Sequence, residues 1–248
     1  MEAPAQRIRN AVASVSGLRQ AASATPALGR ATGQVKRLQS ARFAGTYADL
    51  LANGPYRAAT RFFLDELYSD KDYAERDGQF ARIAGTIERL FPARVVETAV
   101  GLAQLHALTE SLDHALAVEW LAQEGVGLDD ADRYTLAWRR VGRRADREAQ
   151  LANVLAIGRQ MVRLTGTPGL RTMLRMMRGP ATAAGMGSLQ RFLETGFDTF
   201  AAMARQPRNA EGFLETVEQR ETALLAMLFD EELVACGTEL RCILGQAR

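Results

Sequence analysis

Residues 187–205 have the sequence GSLQRFLETGFDTFAAMAR, and this stretch decides the fold class. Its large apolar side chains recur every three or four positions, the spacing that places them on one face of an α-helix. This apolar stripe consists of Leu189, Leu193, Phe197, Phe200 and Met203. A helix with one apolar face must bury it against other elements, so the pattern predicts a helix within a larger packed assembly.

Two further segments show the same periodicity, and no alternation of β-branched residues persists for more than a few positions. The two stripes are Phe80, Ile83, Ile87, Leu90 and Phe91, and Phe213, Val217, Leu224 and Leu228. The predicted fold is all-α, a single bundle-like or orthogonal assembly of about eight to ten helices. The predicted helices are 5–22, 31–53, 55–68, 72–91, 93–124, 129–164, 168–178, 187–205, 209–228 and 231–244.

The composition is that of an ordinary globular protein. The chain has 248 residues, a net charge of +2 and two cysteines, Cys236 and Cys242, whose spacing of six does not suit a local disulfide. No apolar run reaches the ~18–20 residues that a membrane span requires. Arg7, Arg9 and Arg19 interrupt any signal-like apolar segment, so a cytoplasmic location is expected.

The N-terminal region is the most basic part of the chain, with seven basic residues and one acidic residue between positions 1 and 48. We divide the chain into a basic amphipathic N-terminal arm or helix at 1–30 and an all-helical domain at 31–248. The arm could contact a membrane surface or a protein partner. The alternative is a packing helix whose basic face is solvated.

The only two histidines lie close together in the predicted helix 93–124. At about 100° per residue, they share one arc of that helix with two acids. The resulting candidate metal ligands are His106, Glu110, Asp113 and His114. Imidazole and carboxylate groups bind iron, manganese or zinc in helical bundles, and His106 could instead be the proximal ligand of a haem. The alternatives are that no cofactor is bound and that the arc is a solvated helix face.

A basic segment lies in the predicted helix 129–164. Its arginines are spaced so that they would line one side of the helix, beside Trp138. These candidate partner-binding residues are Arg139, Arg140, Arg143, Arg144 and Arg147. The nearly neutral net charge argues against nucleic acid, so the expected partner is an acidic protein or a second copy of this chain. The alternative is a solvated basic face.

No nucleotide-binding loop, nucleophile elbow or activated cysteine is present in the sequence. The leading prediction is therefore a non-enzymatic helical binding or regulatory protein, with a haem or metal protein as the alternative. A third hypothesis is an apolar ligand bound between helices. Its predicted walls are Met173, Met176, Met177, Phe192, Phe197 and Phe200.

Two segments, FFLDELYSDKDYAERDGQFARI with the following RLFP, and GSLQRFLETGFDTFAAM, resemble an uncharacterised family of helical proteins from proteobacteria. The resemblance extends from about residue 35 to 230. It implies a cytoplasmic all-helical domain, and it carries no activity and no functional residues over to this chain.

Overall fold

The computed structural model describes residues 2–67, 71–205 and 209–247, and every regular element within these ranges is helical. The all-α prediction is confirmed. The described residues form thirteen helices: α1 (Pro4–Ala24), α2 (Pro26–Thr46), α3 (Ala48–Ala52), α4 (Arg57–Glu66), α5 (Ala74–Leu90), α6 (Ala93–Leu121), α7 (Asp130–Val141), α8 (Arg144–Thr165), α9 (Leu170–Met176), α10 (Arg178–Ala183), α11 (Gly187–Ala204), α12 (Asn209–Asp230) and α13 (Leu233–Gln246).

The predicted helix 129–164 is two helices, and the break lies at Gly142. The backbone there is left-handed, with φ of 63°, a conformation that glycine adopts without the steric cost of a Cβ atom. The predicted start of this segment is correct. The Asp129 side chain caps the helix there by accepting a hydrogen bond from the backbone N–H of Asp132. The prediction of one long helix was wrong because Gly142, which lies within a segment of helical apolar periodicity, was not interpreted as a helix end.

Other predicted helices also divide, which is why the count of eight to ten was too low. The predicted 31–53 is α2 and α3, separated at Tyr47, and α2 already begins at Pro26. The predicted 168–178 corresponds to α9 followed directly by the start of α10. The predicted helix end at residue 68 lies outside the described residues.

The long helix α6 is central to the assembly and packs against α1, α2, α5, α7 and α8. The apolar side chains form three buried groups around it. The first joins α2, α6, α7, α12 and α13; the second joins α2, α4, α8, α11 and α12; the third joins α1, α5 and α6. Because α6 belongs to two of the groups, its faces connect separate parts of the core.

Helix α1 lies on α5 and α6 and buries its apolar face there. Ile8 and Val15 are fully buried, and the backbone N–H of Ala5 donates to the Glu88 carboxylate at 3.2 Å. At the edges of this contact, Arg7 donates to the Gln104 side chain of α6 at 3.1 Å, and Arg19 pairs with Asp77 of α5. The apolar face of α1 is thus packed, whereas the division of the chain at residue 30 and contact of this region with a membrane surface or a partner stay predictions. Within the described ranges, none of the thirteen helices combines the length and the apolar character that a membrane-spanning helix needs.

Candidate functional site

A cavity of about 150 Å³ lies at the centre of the assembly. Residues of α1, α2, α4 to α8, α11 and α12 line it, so it forms only when the helices pack together. A cavity of this volume in a protein core can hold a molecule the size of benzene. Its wall combines aromatic and aliphatic side chains with an unusual number of buried charged groups.

Phenylalanine side chains from four helices form much of the apolar wall. They are Phe43 of α2, Phe63 of α4, Phe80 of α5 and Phe192 of α11. Phe43 and Phe63 are almost completely buried, which fixes their rings in the surrounding packing. Such a wall suits the apolar body of a small molecule.

Asp77 of α5 organises one side of the wall. Its Oδ2 atom accepts hydrogen bonds from His106 Nε2 at 2.9 Å and from Arg19 at 2.7 Å. Burial alone would raise the pKa of Asp77, but the two donors outweigh that effect and lower the pKa below its ordinary value. Asp77 is therefore an ionised carboxylate that joins α1, α5 and α6.

Arg76, the neighbour of Asp77, closes the adjacent part of the wall. Its guanidinium lies over the rings of Tyr73 and Phe192, at 3.9 and 4.3 Å from their centroids, and pairs with the Glu66 carboxylate at 3.1 Å. Burial lowers the pKa of Arg76, although the nearby anions act in the opposite direction. The arginine thus packs as part of an aromatic wall and is not a solvated surface charge.

Two further ion pairs connect α2 to its neighbours across the cavity wall. Lys36 Nζ lies 2.6 Å from Glu110 Oε1 on α6, and Arg42 Nη1 lies 2.7 Å from Glu221 Oε1 on α12. The hydroxyl of Tyr47 donates to the same Glu221 oxygen at 3.0 Å. Each carboxylate is matched with a cation, as buried charges require.

Asp113 of α6 differs from these carboxylates because no close ion pair to it is found within the described ranges. Its exposed fraction is 4%, and its Oδ1 atom has no hydrogen-bond partner within the described part of the chain. Burial raises the pKa of Asp113; the positive charges of Arg147 and Lys36 and a hydrogen bond with Gln39 oppose this effect without cancelling it. Ionisation of Asp113 is therefore more costly than ionisation of a solvated carboxyl.

Trp138 of α7 also lines the cavity and has an unmatched polar atom. Its exposed fraction is 5%, and its Nε1 has no acceptor among the described residues. The guanidinium of Arg147 lies 4.1 Å from the centroid of the Trp138 ring, and Arg147 also acts electrostatically on Asp113. These three side chains, Asp113, Trp138 and Arg147, form what we call the polar end of the cavity.

The structure does not gather the predicted metal ligands into one group. Glu110 faces Lys36, Asp113 lies at the polar end, and His106 faces Asp77; His114 is half-buried further along α6. The residues that the structure describes contain no group of three or more histidine, cysteine or acidic side chains placed to bind a metal ion together. The Nε2 atom of His106 lies 2.9 Å from Asp77 Oδ2, and haem binding by this histidine stays a prediction.

The predicted arginine ridge is divided between two helices by the turn at Gly142. Arg139 donates to the Leu228 carbonyl, Arg143 pairs with Asp146, and Arg144 pairs with Asp230. Arg147 is buried against Trp138, and Arg140 is exposed. The prediction that these arginines line one side of a single helix was wrong, because it assumed an uninterrupted helix. Partner binding by these residues stays a prediction.

Of the six predicted wall residues, Phe192 lines the cavity. Phe197 and Phe200 are buried in the core, and Met176 of α9 is exposed. The side chains of Met173 and Met177 are half-buried. The sequence places all six on apolar helix faces, and only tertiary packing decides which face borders a cavity.

The sequence interpretation missed Lys36, Asp77 and Glu221, which the structure places at the cavity. A signal existed for Glu221, because it lies four residues after Val217 and three before Leu224. This spacing puts a carboxylate on the buried apolar face of α12, where an acid requires a partner. A search for charged residues inside apolar stripes would have found it.

Residues 18–234 match the sequence profile of a family described as Domain of unknown function (DUF8198). The chain belongs to this family. The match confirms the predicted membership of an uncharacterised family. No curated protein and no solved structure matches the chain. The DUF8198 region contains the residues of the polar end and the ion pairs around the cavity, whereas most of α1 and most of α13 lie outside it.

Proposed function

We propose that this protein binds a compact small molecule in its central cavity. The observation that carries the proposal is the pairing of a cavity of about 150 Å³ with two buried polar atoms, Asp113 Oδ1 and Trp138 Nε1, for which the described part of the chain offers no hydrogen-bond partner. Buried polar groups normally find hydrogen bonds, because leaving one unsatisfied costs about 1–3 kcal/mol. A ligand at the polar end supplies them.

The surrounding wall supports this function. The pairs Lys36–Glu110 and Arg42–Glu221 satisfy their own charges and hold α2 against α6 and α12. The positions of these side chains are therefore set before a ligand arrives, which lowers the entropy cost of binding. The phenylalanines supply the apolar contact that accounts for most of the affinity of a small ligand.

The experiment uses three single-ring probes that differ in charge: benzoate, benzyl alcohol and benzylamine. Titration calorimetry and thermal unfolding are measured with each probe at millimolar concentration. Saturable binding of one molecule of at least one probe, with a rise in Tm, is expected, since a ligand that binds the folded state stabilises it. If none of the three binds to the wild-type protein, the proposed function is wrong.

Two variants of α6 test whether binding occurs in the cavity. Ala103 lines the cavity and is buried, so Ala103→Leu fills part of the space and is expected to abolish probe binding. Ala107, one helical turn further, packs at the edge of the group formed by α1, α5 and α6 and does not line the cavity. Ala107→Leu is the matched control and should retain binding; equal loss in both variants would contradict a cavity site.

Binding of a protein partner, or association of two copies, is a separate proposal that rests on the basic surface residues. Arg140 belongs to the predicted set and is exposed. Sedimentation of the purified chain, compared with Arg140→Glu, tests self-association. A mass that stays that of one chain at high concentration in both proteins would contradict it.

A further inference from the structure

The polar end of the cavity also indicates which chemical group the ligand presents there, an inference that rests on the proposed function. Trp138 Nε1 and Asp113 Oδ1 are both buried, and neither finds a hydrogen-bond partner in the part of the chain that the structure describes. The two side chains share a neighbour, because the Arg147 guanidinium lies 4.1 Å from the centroid of the Trp138 ring and acts electrostatically on Asp113. Tyr134 is a second common neighbour: its ring centroid lies 5.6 Å from that of Trp138, and its charge state is coupled to Asp113. One end of a compact ligand therefore meets both side chains.

The Trp138 side chain requires an acceptor. The indole Nε1–H can only donate, and within residues 2–67, 71–205 and 209–247 it has no acceptor. Trp120, the other tryptophan, shows the normal situation, because its Nε1–H donates to the Gln34 side chain at 3.1 Å. A ligand group that contacts Trp138 must therefore present a lone pair.

The requirement of Asp113 depends on its protonation state. An ionised carboxylate only accepts hydrogen bonds, whereas a protonated carboxyl can also donate one. A hydroxyl group has one O–H to donate and two lone pairs that accept. It can therefore accept from Trp138 and, in the same position, form a hydrogen bond with Asp113 in either protonation state.

The ion pairs of the wall favour a ligand group without charge. Two cations of α2 that line the cavity are already matched by acids: Lys36 lies 2.6 Å from Glu110. Arg42 lies 2.7 Å from Glu221 in the same way. Neither pair requires an ion from the ligand. An ionised ligand would lose its hydration on entering the core, which costs much more than the dehydration of a hydroxyl.

We propose that the cavity binds a compact, uncharged hydroxyl compound, whose oxygen accepts a hydrogen bond from Trp138 and whose O–H lies against Asp113. The apolar body of the ligand lies against the phenylalanine wall. The volume of the cavity restricts that body to about one aromatic ring or a short aliphatic chain. Benzyl alcohol is the probe that combines these properties.

Three uncharged probes of nearly equal size separate the hydrogen-bonding capacities of the ligand group. Benzyl alcohol donates and accepts, benzonitrile only accepts, and ethylbenzene does neither. Calorimetry of the wild-type protein is expected to show benzyl alcohol binding at least about tenfold more tightly than ethylbenzene, because a site with buried polar groups rejects a ligand that leaves them unpaired. Benzonitrile is expected to lie between them. If benzonitrile or ethylbenzene binds as tightly as benzyl alcohol, the hydroxyl assignment is wrong while the binding function itself stands.

The two charged probes test whether the ligand is neutral. Benzoate and benzylamine are each expected to bind at least about tenfold more weakly than benzyl alcohol, because each must leave water as an ion. Binding of either ion as tightly as the alcohol would overturn the assignment to an uncharged group. Absence of binding by every probe would instead contradict the proposed function.

The two tryptophans provide a matched pair of variants. Trp138→Phe removes the donor and keeps an aromatic ring, so the preference for benzyl alcohol over ethylbenzene is expected to fall about three- to tenfold. Comparing two ligands on the same variant separates the lost hydrogen bond from any change in the size of the cavity. Trp120→Phe removes an N–H whose partner is Gln34, outside the cavity wall, and should keep the wild-type preference. An equal loss of preference in both variants would overturn the role of Trp138.

Two substitutions of Asp113 test the second hydrogen bond. Asp113→Leu removes both oxygens at similar size, so the preference for benzyl alcohol over benzonitrile is expected to disappear. Asp113→Asn keeps an amide that both donates and accepts, and should retain that preference. If the leucine variant prefers the alcohol as strongly as the asparagine variant does, Asp113 does not contact the hydroxyl and the assignment is wrong.

Discussion

Gly45 of α2 lies directly against the backbone of α13, so the substitution Gly45→Ala tests the packing directly. A Cβ atom at this position would lie 1.9 Å from the carbonyl oxygen of Ile243 on α13, whereas real Cβ atoms essentially never approach closer than 3.0 Å. The helices must therefore separate by about 1 Å. The obstructing atom belongs to the backbone, so no side-chain rotation can relieve the clash.

The expected loss of stability is the difference between two opposing effects. Overpacking of a core costs about 1–3 kcal/mol, and the backbone contact at Gly45 places it near the top of that range. Alanine gains about 1 kcal/mol over glycine inside a helix. The net loss is then about 2 kcal/mol, which for a chain of this size lowers Tm by about 4–8 °C.

Urea unfolding followed by circular dichroism measures this difference. The matched control is Gly17→Ala in α1, where a Cβ atom meets nothing within 4 Å. This control should be more stable than wild type by about 0.5–1 kcal/mol. If Gly45→Ala is as stable as Gly17→Ala, the close approach of α2 and α13 is not present in solution.

Three further substitutions test the buried charges by urea unfolding. The pKa of Asp113 is higher in the folded state than its unfolded value of 3.8, so ionisation of Asp113 lowers the free energy of unfolding as pH rises above 3.8. The variant Asp113→Asn lacks this group and should therefore become more stable relative to wild type as pH rises above 3.8. The pKa of Asp77 is lowered in the folded state, so its carboxylate stabilises the fold above pH 3.8 and this stabilisation is lost on acidification. The variant Asp77→Asn should be less stable than wild type at pH 7, and the difference should shrink as pH falls below 3.8. Glu221→Ala removes the partner of Arg42 and should cost about 3–5 kcal/mol, whereas Glu218→Ala, an exposed acid on the same helix, should cost about 0–1 kcal/mol. Results of the opposite sign for the two aspartates, or equal losses for the two glutamates, would contradict the charge assignments.

Local sequence patterns were sufficient for the fold class and for most helices. In the first stripe, Leu189, Phe197, Phe200 and Met203 are buried along α11 and Leu193 is half-buried. The stripe from Phe213 to Leu228 is buried along α12. Both follow from the 3.6-residue period, which depends only on the geometry of one helix. The Asp129 cap was predictable for the same reason, because the side chain and the backbone N–H that it accepts from are three residues apart.

The cavity was decided by tertiary structure, because its wall comes from segments that are distant in the sequence. Glu110 and Glu221 occupy similar positions on their helices, and nothing local indicates that Lys36 and Arg42 of α2 face them. A charged side chain next to an apolar stripe can be solvated or buried, and only the neighbouring helix determines which. The unmatched groups of Asp113 and Trp138 became recognisable only after the packing had excluded solvent from both.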